Sequence, residues 1–505
     1  FLGYPDTDTW YDARDNLYEV GTASDYEYWV MVTRAGSTLN ETTETYYYNT
    51  FHLKTKEIYE KDDCQIITEY EYVSDLDENK DKPFADQPNN LLFPTQITKT
   101  FVDSEHPLEV EGEEPPNYII EMETDDYGNQ LRKVSPSQIV EISTYYPIRG
   151  EDSHCPPDPF GRFQRFLKSH TLTYNDDNDN QALQKKKLFF YEKFYPLGEA
   201  PGQLSAVVKP VKIDYGNSET TYLSADFSYV NAPDSLFTHN EISGVTISFS
   251  LEGIEQVPLQ THCDFIYTRT DDELRVDKTI TGHDGNSVST SETTQIYTDL
   301  VIEQIDRYGV VNQANYDIRG RVIENRSAVG TDYERLVGYT YEVFSQSAPP
   351  YSSVTQSPDN GPNNRLIYDG MGRMVKAEKQ GGNGDYRCVL RQAYDELGQS
   401  VLQEKTDYYL TGGDIFSQVI TDFSYDGWGQ VCRAETSDGT VEQITNDPFE
   451  LKQTKQLVVL DGSGEVEACL ASEITTYNLF EEPDSIRIQS ADITASIETR
   501  MEYDG

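Results

Sequence analysis

An eight-residue pattern returns at fixed intervals in the second half of this chain. Tyr316-Asp317-Ile318-Arg319-Gly320-Arg321-Val322-Ile323 aligns with Tyr368-Asp369-Gly370-Met371-Gly372-Arg373-Met374-Val375. It aligns equally with Tyr394-Asp395-Glu396-Leu397-Gly398-Gln399-Ser400-Val401 and Tyr425-Asp426-Gly427-Trp428-Gly429-Gln430-Val431-Cys432. Each copy has Tyr-Asp, then Gly four residues after the Tyr, then Arg or Gln, then an apolar residue seven after the Tyr. Tyr477 to Pro483 is a degraded copy with Glu in place of the Gly, and Tyr503-Asp504-Gly505 opens another. The step is 26 residues from Tyr368 to Tyr394 and from Tyr477 to Tyr503, and 52 from Tyr316 to Tyr368 and from Tyr425 to Tyr477, with an insertion between Tyr394 and Tyr425. Recurrence at a fixed step marks a repeat architecture.

The residue types say what one unit is. Tyr suits the end of a half-buried strand. Asp accepts hydrogen bonds from backbone N–H groups two residues on and favours a turn. Gly supplies the positive φ that a tight hairpin requires. The apolar residue opens the return strand. One such hairpin cannot bury its own face, so units must pair edge to edge into a continuous sheet.

The rest of the chain agrees. Its 37 Tyr and 20 Phe set it apart from disordered chains, despite a mean hydropathy of −0.65. Period-two alternation dominates: in Val245-Thr246-Ile247-Ser248-Phe249-Ser250-Leu251 apolar side chains take one face and small hydroxyls the other. Ile67 to Val73, and the stretch from Tyr46 to Tyr59, read as strands too. Sustained 3.6-residue periodicity is scarce, so very little helix is expected. Asp75 to Asn90, Glu109 to Asn117, Asn175 to Asn180 and Gln346 to Asn364 read as long loops or subdomain joints. The expected fold is all-β, a hairpin array with little helix. Residues 1–300 form an irregular upstream region and 301–505 the repeat region.

The YDxxGR pattern resembles the YD, or Rhs, repeat family. Asp125 to Leu131 and Tyr11 to Tyr18 look like decayed copies. Tyr145-Tyr146-Pro147 with Cys155 to Phe163 resembles a segment that precedes the repeats in Tc-toxin-like and Pseudomonas-type Rhs proteins. The resemblance implies part of a hollow, spiralling β-cocoon that encloses a toxic C-terminal domain until delivery. It implies as partners the rest of the shell, that cargo, and toxin-complex or secretion-apparatus subunits. It implies a secreted bacterial protein. The chain opens on Phe1 and stops within the pattern, which predicts a segment of something longer.

Composition and motifs predict no catalytic set. A charge of −48 repels phosphate backbones, so nucleic acid is an improbable partner. No apolar run approaches the roughly 20 residues of a membrane helix. The six cysteines (Cys64, Cys155, Cys263, Cys388, Cys432, Cys469) lack paired spacing and are expected to be buried as small apolar side chains. His154 beside Cys155 and His262 beside Cys263 suggest ligands or a nucleophile, but strand neighbours point to opposite faces. There is no HExxH, Walker loop, GxSxG or dinucleotide fingerprint. Asn175 to Asn180 lacks EF-hand spacing, and the bacterial origin that the resemblance implies would make the sequons at Asn40 and Asn325 idle. No cofactor or metal is expected. The rival expectation is a surface module gripping carbohydrate or protein through exposed Tyr and Asp.

Overall fold

A computed structural model describes residues 27–35, 41–80, 82–103, 117–174, 184–194, 207–217, 220–250, 259–343, 351–409, 415–460, 466–478, 482–490 and 496–501. Among them lie 32 strands, from β1 (Tyr28–Ala35) to β32 (Ser496–Arg500), and two short 3-10 turns, Val73–Asp75 and Phe84–Asp86. Each strand is hydrogen-bonded antiparallel to the next, so the array is one uninterrupted meander. The all-β hairpin array with little helix is what the sequence predicts. The ladder runs on across residue 300, where β16 (Ser287–Gln295) pairs with β17 (Val301–Ile305).

The sheet is one layer thick, and its two faces differ in chemistry. In β13 (Ile242–Phe249), Val245, Ile247 and Phe249 pair with Phe227, Ala225 and Leu223 on one side and Cys263, Thr261 and Leu259 on the other. The intervening Thr246 pairs with Asp226 and His262. Following the register strand by strand places Tyr316, Tyr368, Tyr394 and Tyr425 on the Val245 face. With no second layer, fully buried apolar side chains are few, and Phe51, Val73 and Leu91 form a small separate core under two connections.

Three expectations need correction. The stretch Tyr46 to Tyr59 is two strands, because Asn49 turns the chain: its Oδ1 accepts the N–H groups of Phe51 and Leu53 at 3.0 Å each. Gln346 to Asn364 is not all loop, since Ser352–Pro358 is a strand whose alternating Val354 and Gln356 share a face with Tyr341 and Tyr339. Of the six free cysteines only Cys155 is buried, because a single-layer sheet leaves both faces half open. The loops 109–116 and 175–180, the copies at Tyr11 to Tyr18 and Tyr503-Asp504-Gly505, and the sequon at Asn40 lie outside the described residues.

Gly372 has φ +79° with open space where a Cβ would stand. Gly372→Ala should therefore cost about 1 kcal/mol from backbone strain alone, read as a lower urea midpoint with an unchanged slope.

Candidate functional site: the hairpin tips and the seam between turns of the wall

The four repeat copies occupy equivalent places, the connections that follow β18 (Val311–Tyr316), β22 (Asn364–Tyr368), β24 (Tyr386–Tyr394) and β26 (Ile415–Tyr425). In each tip the Asp N–H donates to the carbonyl of the Arg or Gln, and the Gly N–H donates to the Asp carbonyl. Asp317 Oδ1 accepts the N–H groups of Arg319 (2.9 Å) and Arg321 (3.0 Å), and Asp369 Oδ1 those of Met371 and Arg373 (2.9 Å each). Asp426 does the same for Trp428 and Gln430, while Asp395 holds Gln399. Gly320, Gly372, Gly398 and Gly429 all have φ between +77° and +86°. At every repeat Tyr the pairing to the following strand slips by one residue.

That slip frees the tyrosine to reach back across the sheet. Tyr316 Oη donates to the Val301 carbonyl at 2.6 Å, Tyr394 to that of Met374 at 3.0 Å, and Tyr425 to that of Ser400 at 3.0 Å. Each bond joins the end of one strand to the start of the strand before it. The repeat Arg completes the latch. Arg321 pairs with Asp317 at 2.7 Å and lies 4.5 Å over the ring of Tyr341, whose hydroxyl donates to the Val322 carbonyl. Arg373 pairs with Asp369 at 2.8 Å and lies 4.7 Å over the ring of Tyr394.

Sequence reasoning missed several members. Arg387 over Tyr408, with Tyr408 bonded to the Cys388 carbonyl, and Lys209 over Tyr229, bonded to Pro210, repeat the latch without the motif. Asp306-Arg307-Tyr308-Gly309 forms the same tip behind an Ile, and Asp125 to Asn129, expected as a decayed copy, forms it behind Thr124. The usable signal was Asp-x-x-Gly at the end of a strand, whatever residue precedes the Asp.

The tips also meet a remote part of the sheet. Lys61, 1% exposed, ends β3 (Lys54–Lys61) and donates to the Asp426 carbonyl at 2.7 Å. Gly427 sits so close to Cys64 that an added Cβ would lie 2.5 Å from its Sγ. Phe101 packs against Trp428 (5.6 Å between ring centres), Phe449 (6.5 Å) and Tyr118 (5.7 Å), and Tyr118 donates to the Pro448 carbonyl at 2.9 Å. These partners are about 330 to 365 residues apart in sequence. The sheet therefore curls round until the tips of a later turn seat on the opposite strand ends of an earlier one.

Electrostatics fits a packing role. The Arg321 guanidinium and backbone N–H groups hold the Asp317 carboxyl below its ordinary 3.8. Burial pushes the hydroxyls of Tyr341, Tyr408 and Tyr425 up, so they stay protonated donors. Burial also lifts the Cys155 thiol to about 11, away from the reactive thiolate. His154 and Cys155 lie in a loop rather than a strand, so strand alternation does not separate them; His154 faces Glu151 and Cys155 points to the Pro156 carbonyl. His262 bridges Thr246 and Asp264 at 2.8 Å each, with Cys263 on the other face. Among the described residues no three His, Cys, Asp or Glu converge as a metal site, and no helix is long and apolar enough to cross a membrane.

No family model and no curated protein matches the chain. Among solved structures, the chain is similar to Tc-toxin proteins. These include the crystal structures of TcdB2-TccC3-TEV (12% identity, TM-score 0.30, covering 92% of this chain and 27% of that one) and TcdB2-TccC3-Cdc42 (10%, 0.31, 94% and 31%). A Photorhabdus luminescens Tc holotoxin pore carrying a TccC3 mutation is similar at 11% identity and TM-score 0.30, over 92% of this chain and 30% of that one. The chain spans about a third or less of the length of these structures.

Two outcomes test the latch and the seam. Asp317→Asn keeps an acceptor for the backbone but loses the ion pair. A carboxylate with a lowered folded-state pKa stabilises fully above its ordinary value and loses that contribution as pH falls through the folded one. The stability gap between wild type and Asp317→Asn should therefore be widest near pH 7 and close below about pH 4, followed by circular dichroism. Trp428→Ala should remove about 2 kcal/mol of local stability, speeding amide exchange in the 424–432 hairpin and around Cys64 while leaving the 311–326 hairpin unchanged.

Proposed function

We propose that this chain is a non-catalytic wall segment of a bacterial Rhs-repeat toxin of the Tc type, secreted and assembled with further toxin-complex subunits. The wall would enclose a toxic C-terminal cargo until delivery. The observation that carries this reading is the seam: a one-layer sheet that returns onto itself has an inside. About 23 strands separate the two sides of the seam, and at about 4.8 Å per strand they span about 110 Å, a ring about 35 Å across. Residues 1–300 would be the upstream wall and 301–505 the repeat wall. Tyr316, Asp317, Gly320 and Arg321, with their counterparts from Tyr368, Tyr394, Tyr425 and Tyr503 onward, would set the hairpin geometry. No cofactor enters this role.

Carbohydrate gripping by the repeat tyrosines is disfavoured by their engagement. Tyr316, Tyr394 and Tyr425 spend their hydroxyls on backbone carbonyls, and Arg373 covers the ring of Tyr394.

The test uses the full toxin and limited proteolysis. The polypeptide that follows the shell should resist protease in the wild type. It should become sensitive in Gly427→Trp, whose side chain cannot fit against Cys64. Cargo digested in the wild type as fast as the isolated cargo domain would overturn the reading.

A further inference from the structure

Successive turns of the wall seat on strand ends, so the two faces of the sheet are left to meet something other than the wall. Those faces can be told apart. Two hollows, of about 370 and 440 Å³, span β17 to β20 (Arg335–Glu342) and β14 (Leu259–Arg269) to β18. Side chains of the Val245 face line both, among them Lys278, Gln304, Ala314 and Tyr339. A sheet one layer thick is hollow on the side towards which it curls. The Val245 face is therefore the inner face of the wall.

Charge is divided unequally between the faces. On the outer face cations stand beside carboxylates: Lys56 pairs with Glu69 at 2.9 Å, Arg275 with Asp277 and Arg433 with Glu435 at 2.8 Å each, and Arg487 with Glu498 at 2.9 Å. The inner face has such pairs too, Lys133 with Glu141 at 3.3 Å and Lys455 with Glu473 at 3.9 Å. It also carries Lys99, Lys185, Lys187, Lys278, Lys379 and Lys405, all exposed and none in an ion pair with a described residue. The register sets no carboxylate directly opposite them. Lys187 stands between His170 and Tyr215, Lys278 between Phe265 and Thr290, and Lys405 between Leu390 and Val419. Three lie over rings instead: Lys99 over Phe101 (4.9 Å), Lys187 over Tyr215 (5.5 Å) and Lys278 over Phe265 (5.9 Å). The inner carboxylates without a cation among the described residues, Glu292, Asp407, Glu442 and the strand-end Asp484, are fewer.

A total charge of −48 by itself would select a basic occupant. But at physiological salt a charge is largely screened beyond about 8 Å. A polypeptide lying against the wall therefore responds to the side chains it touches, and those without a counter-charge there are mostly lysines. Their spacing says what they suit. They are spread from β5 (Pro94–Val102) to β25 (Ser400–Tyr408), whereas a phosphate or other compact anion needs donors that converge. Dispersed, flexible ammonium groups suit an extended chain with carboxylates at intervals. Lys185 and Lys187, alternate residues of one strand, stand about 7 Å apart, the spacing of alternate side chains in such a chain.

We infer that the inner face of this wall holds an acidic stretch of the enclosed polypeptide, its carboxylates set against Lys185, Lys187, Lys278 and the other unpaired lysines. The inference rests on the enclosing role proposed above and adds to it the sign of the cargo.

Carbodiimide cross-linking of the full toxin, read by mass spectrometry, tests this, because the reagent joins an amine to a carboxylate only where the two touch. Lys185, Lys187, Lys278 and Lys379 should be linked to Asp or Glu of the enclosed polypeptide, and the yield should fall several-fold when the salt is raised to about 1 M. Lysines that react with acetic anhydride in the full toxin yet form no link to cargo would overturn the proposal. So would cargo lysines linked to Glu292 or Glu442 in their place. Cargo that resists protease but is not linked removes the acidic stretch and leaves the enclosure standing; cargo digested as fast as its isolated domain removes both.

Discussion

Everything in this fold hangs on how a sheet with only one layer holds its strand ends. In a two-layer protein, packing across the core fixes register and curvature. Here neighbours along the sheet must do it alone. The tyrosine latch answers that need: a hydroxyl bonds the backbone of the preceding strand while a cation lies over the ring. A net hydrogen bond is worth about 1 kcal/mol and a partly desolvated cation–π contact about 1 kcal/mol. Neither is large, but both recur from hairpin to hairpin, at the strand ends where the ladder itself slips.

The slip and the latch are one device. Slipping one residue at each repeat Tyr turns the strand end and increases local twist, and the Asp carboxylate then closes the tip by holding N–H groups that would otherwise point at water. Repeating the same bend in the same sense accumulates into curvature of the whole sheet. After about 23 strands that curvature brings tips onto the opposite ends of earlier strands, and the chain becomes its own neighbour. Cooperative stability then no longer depends only on adjacent repeats, because Lys61 and Asp426 couple units 365 residues apart.

The hairpin array was legible because its signals are local. Period-two alternation in Val245 to Phe249 and the recurrent Tyr-Asp-x-x-Gly both report on a few consecutive residues. The role of the repeat Arg was not legible, since its partner ring arrives from the next hairpin, about 20 residues on (Arg321 to Tyr341, Arg373 to Tyr394). Tips such as Asp306 to Gly309 escaped because the search was anchored on Tyr, whereas the geometry is set by the Asp carboxylate and the Gly. The seam was out of reach altogether. Lys61 reads as an ordinary charged strand end, and only the curl of the sheet buries it against a carbonyl.

One systematic variation in the repeat changes how neighbouring tips are joined. The first two copies carry Arg321 and Arg373, each free to fold back on its own Asp and lie over a tyrosine ring. The next two carry Gln399 and Gln430. Gln399 does not fold back; its amide donates to the Gly429 carbonyl at 3.1 Å, tying one tip to the next. Gly429 in turn lies against the Tyr59 hydroxyl, within the contact between turns. Arg373 reaches the next tip as well, its guanidinium donating to the Asp395 carbonyl at 3.4 Å, so either side chain can link neighbouring tips. Only the Arg also pairs with the Asp of its own tip. Gln keeps the donor and drops the charge, and its tip is then held by the Asp carboxylate and the backbone alone.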